Sequence, residues 1–416
     1  MPDAESALPS ARALLRERDY LAFWASRWMG SLGTGIQSVT MGWQIYTISR
    51  HTLSVGASAL NVSLIGLLTF APLFLLALAA GETADRHDRR RVLMVCWAGE
   101  IVAVGIIIAA TLTRSATVPL LLGVALVFGA SRAFFQPAST ALGPMLVPRP
   151  LLPRAIAWNS LAGQSASIVG PAVAGLLLTI APIAAYATSL GLYIAAAACL
   201  LLIRRSGQPV VQPGSRWVLV KEGLAYVWQN RIVFGAISLD LAAVILGGAT
   251  ALLPAFARDV LHVGPQGFGI LRAGPALGGA AAAVFLAGRP IRRKAGLVMF
   301  CGVAVYGAAT LVFGLSRLLW LSVGALAVLG AADMLSVYVR QTLVQLVTPD
   351  AMRGRVAAVS TLFIGASNEL GEFESGVAAR FLGVVGAAVF GGIGALAVTA
   401  AWAKFFPALR KADRLE

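Results

Sequence analysis

Long apolar runs separated by short polar segments occupy most of this 416-residue chain. Runs of about 20 apolar residues are long enough to cross a bilayer as helices. The pattern therefore predicts an all-α membrane protein with twelve transmembrane helices, over residues 20–47, 55–81, 92–113, 118–142, 155–181, 183–203, 232–256, 266–288, 295–315, 318–345, 356–381 and 383–406.

The longest polar interruption, residues 204–231, separates the sixth apolar run from the seventh. It divides the chain into two predicted six-helix halves, residues 1–203 and 232–416. Within the interruption a helix is predicted from Trp217 to Trp228, and its apolar face consists of Trp217, Val220, Leu224, Val227 and Trp228. We expect this helix to lie on the cytoplasmic membrane surface, either as a connector of the halves or as a regulatory element.

The two predicted halves resemble each other in sequence. An offset of 201 residues aligns Gly129 with Gly330, Pro148 with Pro349, Arg154 with Arg355, Leu161 with Leu362, Gly170 with Gly371 and Gly175 with Gly376. Copies with six spans each have the same orientation in the membrane. This is the parallel repeat of transporters whose halves pack around an axis along the membrane normal.

Only 12% of the residues are charged, yet the formal net charge is +15. On the predicted topology most Lys and Arg residues lie on the side of the two termini. Five lie on the opposite side: Arg50, Arg114, Arg258, Arg317 and Arg380. Four lie within spans: Arg27, Arg132, Arg272 and Arg340. The positive-inside rule thus places both termini in the cytoplasm. Because topology explains the basic charge, no nucleic-acid partner is predicted.

A charged turn, Gly81 to Arg91, follows the second predicted span. It resembles the G-x-x-x-D-R-x-x-R-R signature loop of the major facilitator superfamily, with Thr83 and Asp88 in place of the usual Leu and Gly. The resemblance implies a conformational gate at the matching positions, which are Gly81, Asp85, Arg86, Arg89 and Arg90. We expect Asp85 to cap a helix N-terminus and to pair with nearby arginines in one arrangement of the halves.

Further segments resemble the branch of this superfamily that contains the bacterial enterobactin exporter and the macrolide efflux proteins. They are Gly42 to Tyr46, Leu253 to Ala257, Thr348 to Arg355 and the acidic stretch Gly371 to Gly376. Gly170 to Gly175 looks like the Gly-Pro motif of antiporter branches, in which Pro171 removes a backbone donor and the glycines allow close helix contact. This resemblance implies a proton-driven exporter of a bulky small molecule.

Three carboxylates, Glu369, Glu372 and Glu374, lie within the eleventh apolar run. Charges at membrane depth cost about 2.5 to 3.5 kcal/mol each on insertion scales, so they should face protein or water. Glu369 and Glu372 share one helix face, and two close carboxylates in a poorly hydrated site can exchange protons. Both are predicted proton carriers, and Asp240 in the seventh run is the competing carrier. In the alternative, structural reading, the glutamates only hold Arg272 or backbone donors.

The offset of the repeat aligns Arg132 with Asp333, so opposite charges occupy equivalent positions of the two halves. In the superfamily fold their spans, the fourth and the tenth, line the central cavity. We therefore predict a cavity charge pair that forms when the halves close and weakens when they open, or else a permanent ion pair. Glu100 is expected to hold a basic residue near the cytoplasm, with Arg340 as the candidate.

Four side chains near the presumed cavity are candidates for substrate binding: Trp43, Phe134, Tyr338 and Asn368. The rings among them can stack on a catechol, a macrolide or a dye. The alternative role of the same rings is helix packing.

The sequence contains no recognisable nucleophile with a base, phosphate-binding loop or metal-ligand set, so neither an enzyme nor a metal or organic cofactor is predicted. The prediction is a proton-coupled antiporter of a bacterial inner membrane, expected to act as a monomer. It exports an organic molecule such as a siderophore by alternating access. Multidrug or macrolide efflux is the first alternative, a lipid flippase the second, and a membrane sensor without transport the third.

Overall fold

A computed structural model describes residues 11–204, 216–291 and 293–412. In these residues most of the chain lies in long helices: α1 (Arg18–Ser49), α2 (Val55–Arg86), α3 (Arg89–Leu112), α4 (Val118–Met145), α5 (Leu152–Ile180), α6 (Pro182–Leu201), α7 (Arg216–Gln229), α8 (Arg231–Leu246), α9 (Gly264–Gly288), α10 (Ala295–Leu315), α11 (Leu319–Val347) and α12 (Asp350–Phe405). Ten helical segments are long and apolar enough to cross a membrane. The prediction of an all-helical membrane protein is confirmed.

Two parts of the chain differ from the ten apolar segments. The 32-residue helix α1 is more polar than they are. The 56-residue helix α12 contains the last two predicted spans, and Gly383 interrupts it with a φ of 72°. Glycine adopts this left-handed conformation without the steric cost that a Cβ brings. The chain therefore turns at the predicted boundary between residues 356–381 and 383–406.

The seventh apolar run is also interrupted. After α8 the chain forms a 3-10 turn (Ala249–Leu252), a short α-turn (Leu253–Ala255) and a π-helical turn (Phe256–Val260). At the break, the Tyr306 hydroxyl donates a hydrogen bond to the Gly247 carbonyl at 2.9 Å. Gly248 lies against the Gly371 carbonyl of α12, where a side chain would not fit. Backbone groups freed inside a membrane need such partners, so the break is held by its neighbours.

Glycines of the internal repeat make equivalent packing contacts. Gly129 in α4 lies against the Thr69 carbonyl of α2, and Gly330 in α11 lies against the Pro275 carbonyl of α9. In α5, Gly170 lies against Gly35 of α1 and Gly175 lies against Gly269 of α9. In α12, Gly371 lies against Val244 of α8 and Gly376 lies against Ser63 of α2. Small residues let membrane helices approach to backbone contact, and the repeat places them at matching interfaces.

Gly330→Ala is expected to destabilise the protein by about 1–3 kcal/mol, because the new methyl group overlaps the Pro275 backbone. Gly324→Ala in the same helix is the matched control, since its methyl group meets no atom within 4 Å. Gly129→Ala should behave like Gly330→Ala. The thermal unfolding midpoint of each detergent-purified variant measures the effect. Equal midpoints for Gly330→Ala and Gly324→Ala would contradict the packing assignment.

Helices α1–α6 meet helices α8–α12 along two seams, α2 with α12 and α5 with α9. On the first seam Gly56 lies against the Ala379 carbonyl, near the turn that joins α1 to α2. On the second, a Cβ at Gly175 would lie 2.9 Å from the Cα of Gly269, close to the start of α9. Both seams are thus closed on the side of the turn at residues 50–54.

The seams separate toward the opposite ends of these helices. Leu161 of α5 is 63% exposed and Val284 of α9 is 75% exposed, and both line a cavity beside these two helices. On the α2–α12 seam Phe74 is exposed as well. The structure is therefore open on the side of the turn between α2 and α3.

Helix α7 agrees with the helix predicted in the interruption and packs on the turn between α11 and α12. Glu222 forms an ion pair with Arg355, and the Tyr226 hydroxyl donates to the Val347 carbonyl at 2.9 Å. The buried face differs from the predicted one, because Val227 is buried whereas Leu224 and Trp228 are exposed. Gly223 explains the difference, since it lets α7 approach the backbone at Arg355. The side chains of Trp217 and Val220 lie outside the described residues.

Candidate functional site

In this structure Arg132 pairs with Glu369, and the predicted pair between Arg132 and Asp333 stays a prediction for another arrangement of the halves. The Nη1 of Arg132 in α4 lies 3.2 Å from the Oε1 of Glu369 in α12. The closed α2–α12 seam causes this pairing: a Cβ at Gly66 would lie 3.2 Å from the Oε2 of Glu369, so the carboxylate reaches the side of α2 and α4. The ion pair joins the first six helices to the last five.

Glu372 lies one helical turn further along α12 and has partners in the broken seventh run. The Thr250 hydroxyl donates to its Oε1 at 2.8 Å, and the Nη1 of Arg272 lies 3.5 Å from the same oxygen. Arg272 also donates to the Thr250 carbonyl at 3.3 Å. In this conformation Glu369 and Glu372 each hold one arginine. A carboxylate that gains a proton loses this attraction, so both contacts are able to respond to protonation.

Arg340 and Asp240 form a buried ion pair, in which the Nη1 of Arg340 lies 3.1 Å from the Oδ2 of Asp240. The side chain of Arg340 is 1% exposed and that of Asp240 is 6% exposed. This ion pair corrects the predicted pairing of Arg340 with Glu100. The reason is that α8 and α11 pack against each other, whereas Glu100 lies in α3 among the first six helices. Glu100 is itself buried, and its Oε2 has no hydrogen-bond partner among the described residues.

A cavity of about 1110 Å³ lies between α5, α9 and α11 and reaches the break after α8. Its walls are largely apolar and small, and its polar groups include Asn368, Glu372, Asp333, Thr250 and Tyr306. Of the predicted site residues, Asn368, Glu372 and Asp333 therefore line one space. Thr250 and Tyr306 were missed by the sequence analysis. The nearest signal was Leu253 to Ala257, the motif that directly follows the break.

The three predicted aromatic ligands do not line this cavity. Trp43 stacks on Phe268 with ring centroids 5.6 Å apart, and Phe134 and Tyr338 pack against the hydrophobic core. Their contacts are those of helix packing, the alternative considered for these rings.

The gate loop contacts the first six helices. Asp88, rather than Asp85, caps α3: its carboxylate accepts a hydrogen bond from the Arg90 backbone amide at 2.9 Å. The reason is position, because α3 begins at Arg89 and its N-cap is the residue just before it. The departure from the signature loop thus supplies the cap.

The arginines of the loop bind locally as well. Arg89 contacts the Sδ of Met145 at 2.8 Å, and Arg90 donates to the Leu201 carbonyl at 3.0 Å. Arg86 pairs with Glu82 at 2.7 Å within α2, where Gly81 is buried. These contacts fit the separation of the seams on this side of the molecule.

A polar cluster that the sequence analysis missed closes the opposite side. The Tyr46 hydroxyl donates to Asp259 Oδ2 at 2.5 Å, and the Nη2 of Arg50 lies 3.1 Å from Asp259 Oδ1. Tyr46 lies in the last turn of α1 and Arg50 directly follows that helix, whereas Asp259 lies in the π-helical turn after α8. We call these three residues the outer latch. Its signal in the sequence was Arg50, one of few cations predicted on that side.

Solved transporters share this fold. The POT family transporter PepTSo gives a TM-score of 0.74 at 13% identity, over 94% of this chain and 98% of that one. An inward-facing bacterial homologue of the iron transporter ferroportin gives 0.66 at 17% identity, over 94% and 99%.

Two curated relatives are exporters. The chain is 28% identical to the enterobactin exporter EntS of Citrobacter koseri over 390 residues, which are 91% of this chain and 85% of that protein. It is 29% identical to the multidrug efflux pump Tap of Mycobacterium tuberculosis over 364 residues, 84% of each protein. The family described as transmembrane secretion effector matches residues 9–416. The chain therefore belongs to this family of the major facilitator superfamily, whose members are transporters and not enzymes.

Proposed function

We propose that the chain is a proton-coupled exporter of an organic molecule in a bacterial inner membrane, with both termini in the cytoplasm. Twelve spans result when α1 is added to the ten apolar segments and α12 is divided at Gly383. The equivalent contacts of the repeated glycines support two halves, residues 1–203 and 232–416, joined by the linker 204–231. Alternating access then consists of the halves rocking around the seams, and a monomer is sufficient for it.

The observation that carries the proposal is the position of Glu369 and Glu372. Glu369 binds Arg132 across the seam between the halves, and Glu372 binds Arg272 at the cavity. A proton on Glu369 weakens the cross-seam pair, so protonation and opening are linked. Proton entry driven by a membrane potential of 100 mV supplies about 2.3 kcal/mol to each cycle.

The relatives favour export of organic molecules, since one is an enterobactin exporter and another a multidrug efflux pump. A lipid flippase is a second candidate, because the exposed Leu161 and Val284 line the cavity where the α5–α9 seam separates. Such a side opening admits acyl chains from the bilayer.

Everted vesicles with a proton-sensitive dye test the proposal. A catecholate siderophore, a macrolide, a lipophilic cation and a labelled phospholipid are added one at a time to energised vesicles. Proton release caused by one of them is expected from wild-type protein. Glu372→Gln should abolish that release, and Glu374→Gln, which changes a carboxylate away from the cavity, should retain it. Substrate movement that persists after an uncoupler collapses the gradient would contradict proton coupling.

A further inference from the structure

The cavity between α5, α9 and α11 has a one-sided charge. Its lining includes the carboxylates of Asp333 and Glu372, and none of the described residues that line it is Lys, Arg or His. Its volume, about 1110 Å³, is slightly above the range of roughly 300–1,000 Å³ for sites that enclose drug-sized molecules. Because both charged residues in this lining, Asp333 and Glu372, are acidic, the sign of their charge dominates what the cavity can bind.

The two carboxylates at the cavity differ in their partners. Glu372 is matched by Arg272 at 3.5 Å and by the Thr250 hydroxyl at 2.8 Å. Asp333 makes no hydrogen bond or salt bridge with any described residue. Arg340 on the same helix attracts Asp333 electrostatically, but it forms its ion pair with Asp240, at 3.1 Å. Two carboxylates, Asp240 and Asp333, therefore share one guanidinium group, and an excess of negative charge is unfavourable in surroundings of low polarity.

Asp333 stands at the junction of two spaces. It lines the large cavity, and it also lines a void of about 10 Å³ shared with Asp240, Tyr306 and Ser336. The hydrogen bond from Tyr306 to Gly247 fixes the phenol ring, which lines both spaces. A fixed aromatic ring next to a free carboxylate favours a cation on electrostatic grounds.

The remaining wall suits a broad apolar body. Met334 supplies an adaptable contact. Small residues give α9 and α11 a smooth surface in the cavity: Ala276, Gly279, Ala280, Ala283 and Gly330. The exposed Leu161 and Val284 border the opening, so a lipophilic molecule reaches the cavity from the bilayer as well as from water.

We propose that this cavity binds lipophilic organic cations and that Asp333 is the residue that selects their charge. The proposal rests on the proposed export function and names its substrate class. The bound cation supplies a counter-charge to Asp333, which in the protein shares Arg340 with Asp240, whereas an anion of the same shape meets excess negative charge.

Tetraphenylphosphonium and tetraphenylborate are the probes, because they have nearly the same size and shape and opposite charge. Binding of each is measured separately by equilibrium dialysis against purified protein in nanodiscs, with empty nanodiscs as the blank. Wild-type protein should bind the cation and should not bind the anion above the blank. This comparison requires no variant and no gradient, so it is independent of whether transport is coupled to protons.

Substitutions then assign the selectivity to one side chain. Asp333→Asn should weaken binding of the cation by about tenfold or more, the effect of losing one charged partner in a buried site. Asp333→Glu should retain preference for the cation, and Glu374→Gln, outside the cavity, should bind as wild type does. Gel-filtration elution and the unfolding midpoint confirm that each variant is folded.

Three results would overturn the proposal. They are equal binding of the anion, no binding of the cation by folded wild-type protein, and unchanged cation affinity in folded Asp333→Asn. If the vesicle experiment nevertheless reports proton release with a siderophore or a macrolide, the export function stands and only the cation selectivity fails.

Discussion

Arg340→Met is expected to destabilise the protein by about 3–5 kcal/mol, more than replacement of any other arginine within the spans. Arg340 is 1% exposed and holds the buried carboxylate of Asp240. Without the guanidinium this carboxylate is left in a desolvated site with no cation. Arg272→Met is the comparison, because Arg272 and Glu372 are both partly exposed at the cavity. Its effect on stability should be smaller.

The double variant Asp240→Asn with Arg340→Met distinguishes two effects: loss of the whole ion pair, and loss of the arginine alone, which leaves the carboxylate of Asp240 without a cation. Replacing both members of a buried ion pair is often nearly neutral, and here the Nε and Nη2 of Arg340 have no hydrogen-bond partner among the described residues even in the intact pair. The double variant should therefore recover most of the lost stability. The measurements are the unfolding midpoint and the monodisperse fraction after detergent extraction. A double variant as unstable as Arg340→Met would contradict this account.

The sequence predicted the fold well because its strongest signals are local. The length of an apolar run fixes a span without knowledge of its neighbours. The repeat added information about packing, since Gly129 and Gly330 both lie against a backbone carbonyl of an adjacent helix. The break after α8 was not predicted, because Gly247 and Gly248 interrupt an apolar run without changing its hydrophobicity.

The charged residues were found from the sequence, but their partners were not. Arg132 was matched to Asp333 by repeat alignment, and the structure gives it Glu369 instead. Repeat alignment compares the depths of residues in two halves, whereas an ion pair depends on how each helix is rotated and which seam is closed. Neither property has a signal in a single sequence, so pairings between distant helices are the part that required coordinates.

In the outer latch, too, the contact between the residues could not be predicted from the sequence. Arg50 was counted among the five cations on its side of the predicted topology, without being given a role. Asp259 lies 209 residues further along the chain. Their contact joins α1 to the π-helical turn after α8, at the end where both seams are closed. The latch is therefore suited to hold the closed arrangement of this side, while the opposite side is open.

Reversing one charge of the latch is expected to open that side and to lower transport about tenfold, which corresponds to about 1.4 kcal/mol between the two arrangements. Arg50→Asp places two carboxylates in contact, and Asp259→Arg places two guanidinium groups there. The exchange of both charges, Arg50→Asp with Asp259→Arg, restores an attractive pair and should recover most of the activity.

Spin labels at Thr52 and His262, both exposed near the latch, measure the separation directly in a protein whose native cysteines have been replaced. Each single reversal should lengthen the distance between the labels, and the double reversal should return it to the wild-type value. Because the attraction acts at close range between fixed positions, only a contact between Arg50 and Asp259 predicts recovery in the double variant. A distance that is unchanged in both single variants would show that other contacts hold this side closed.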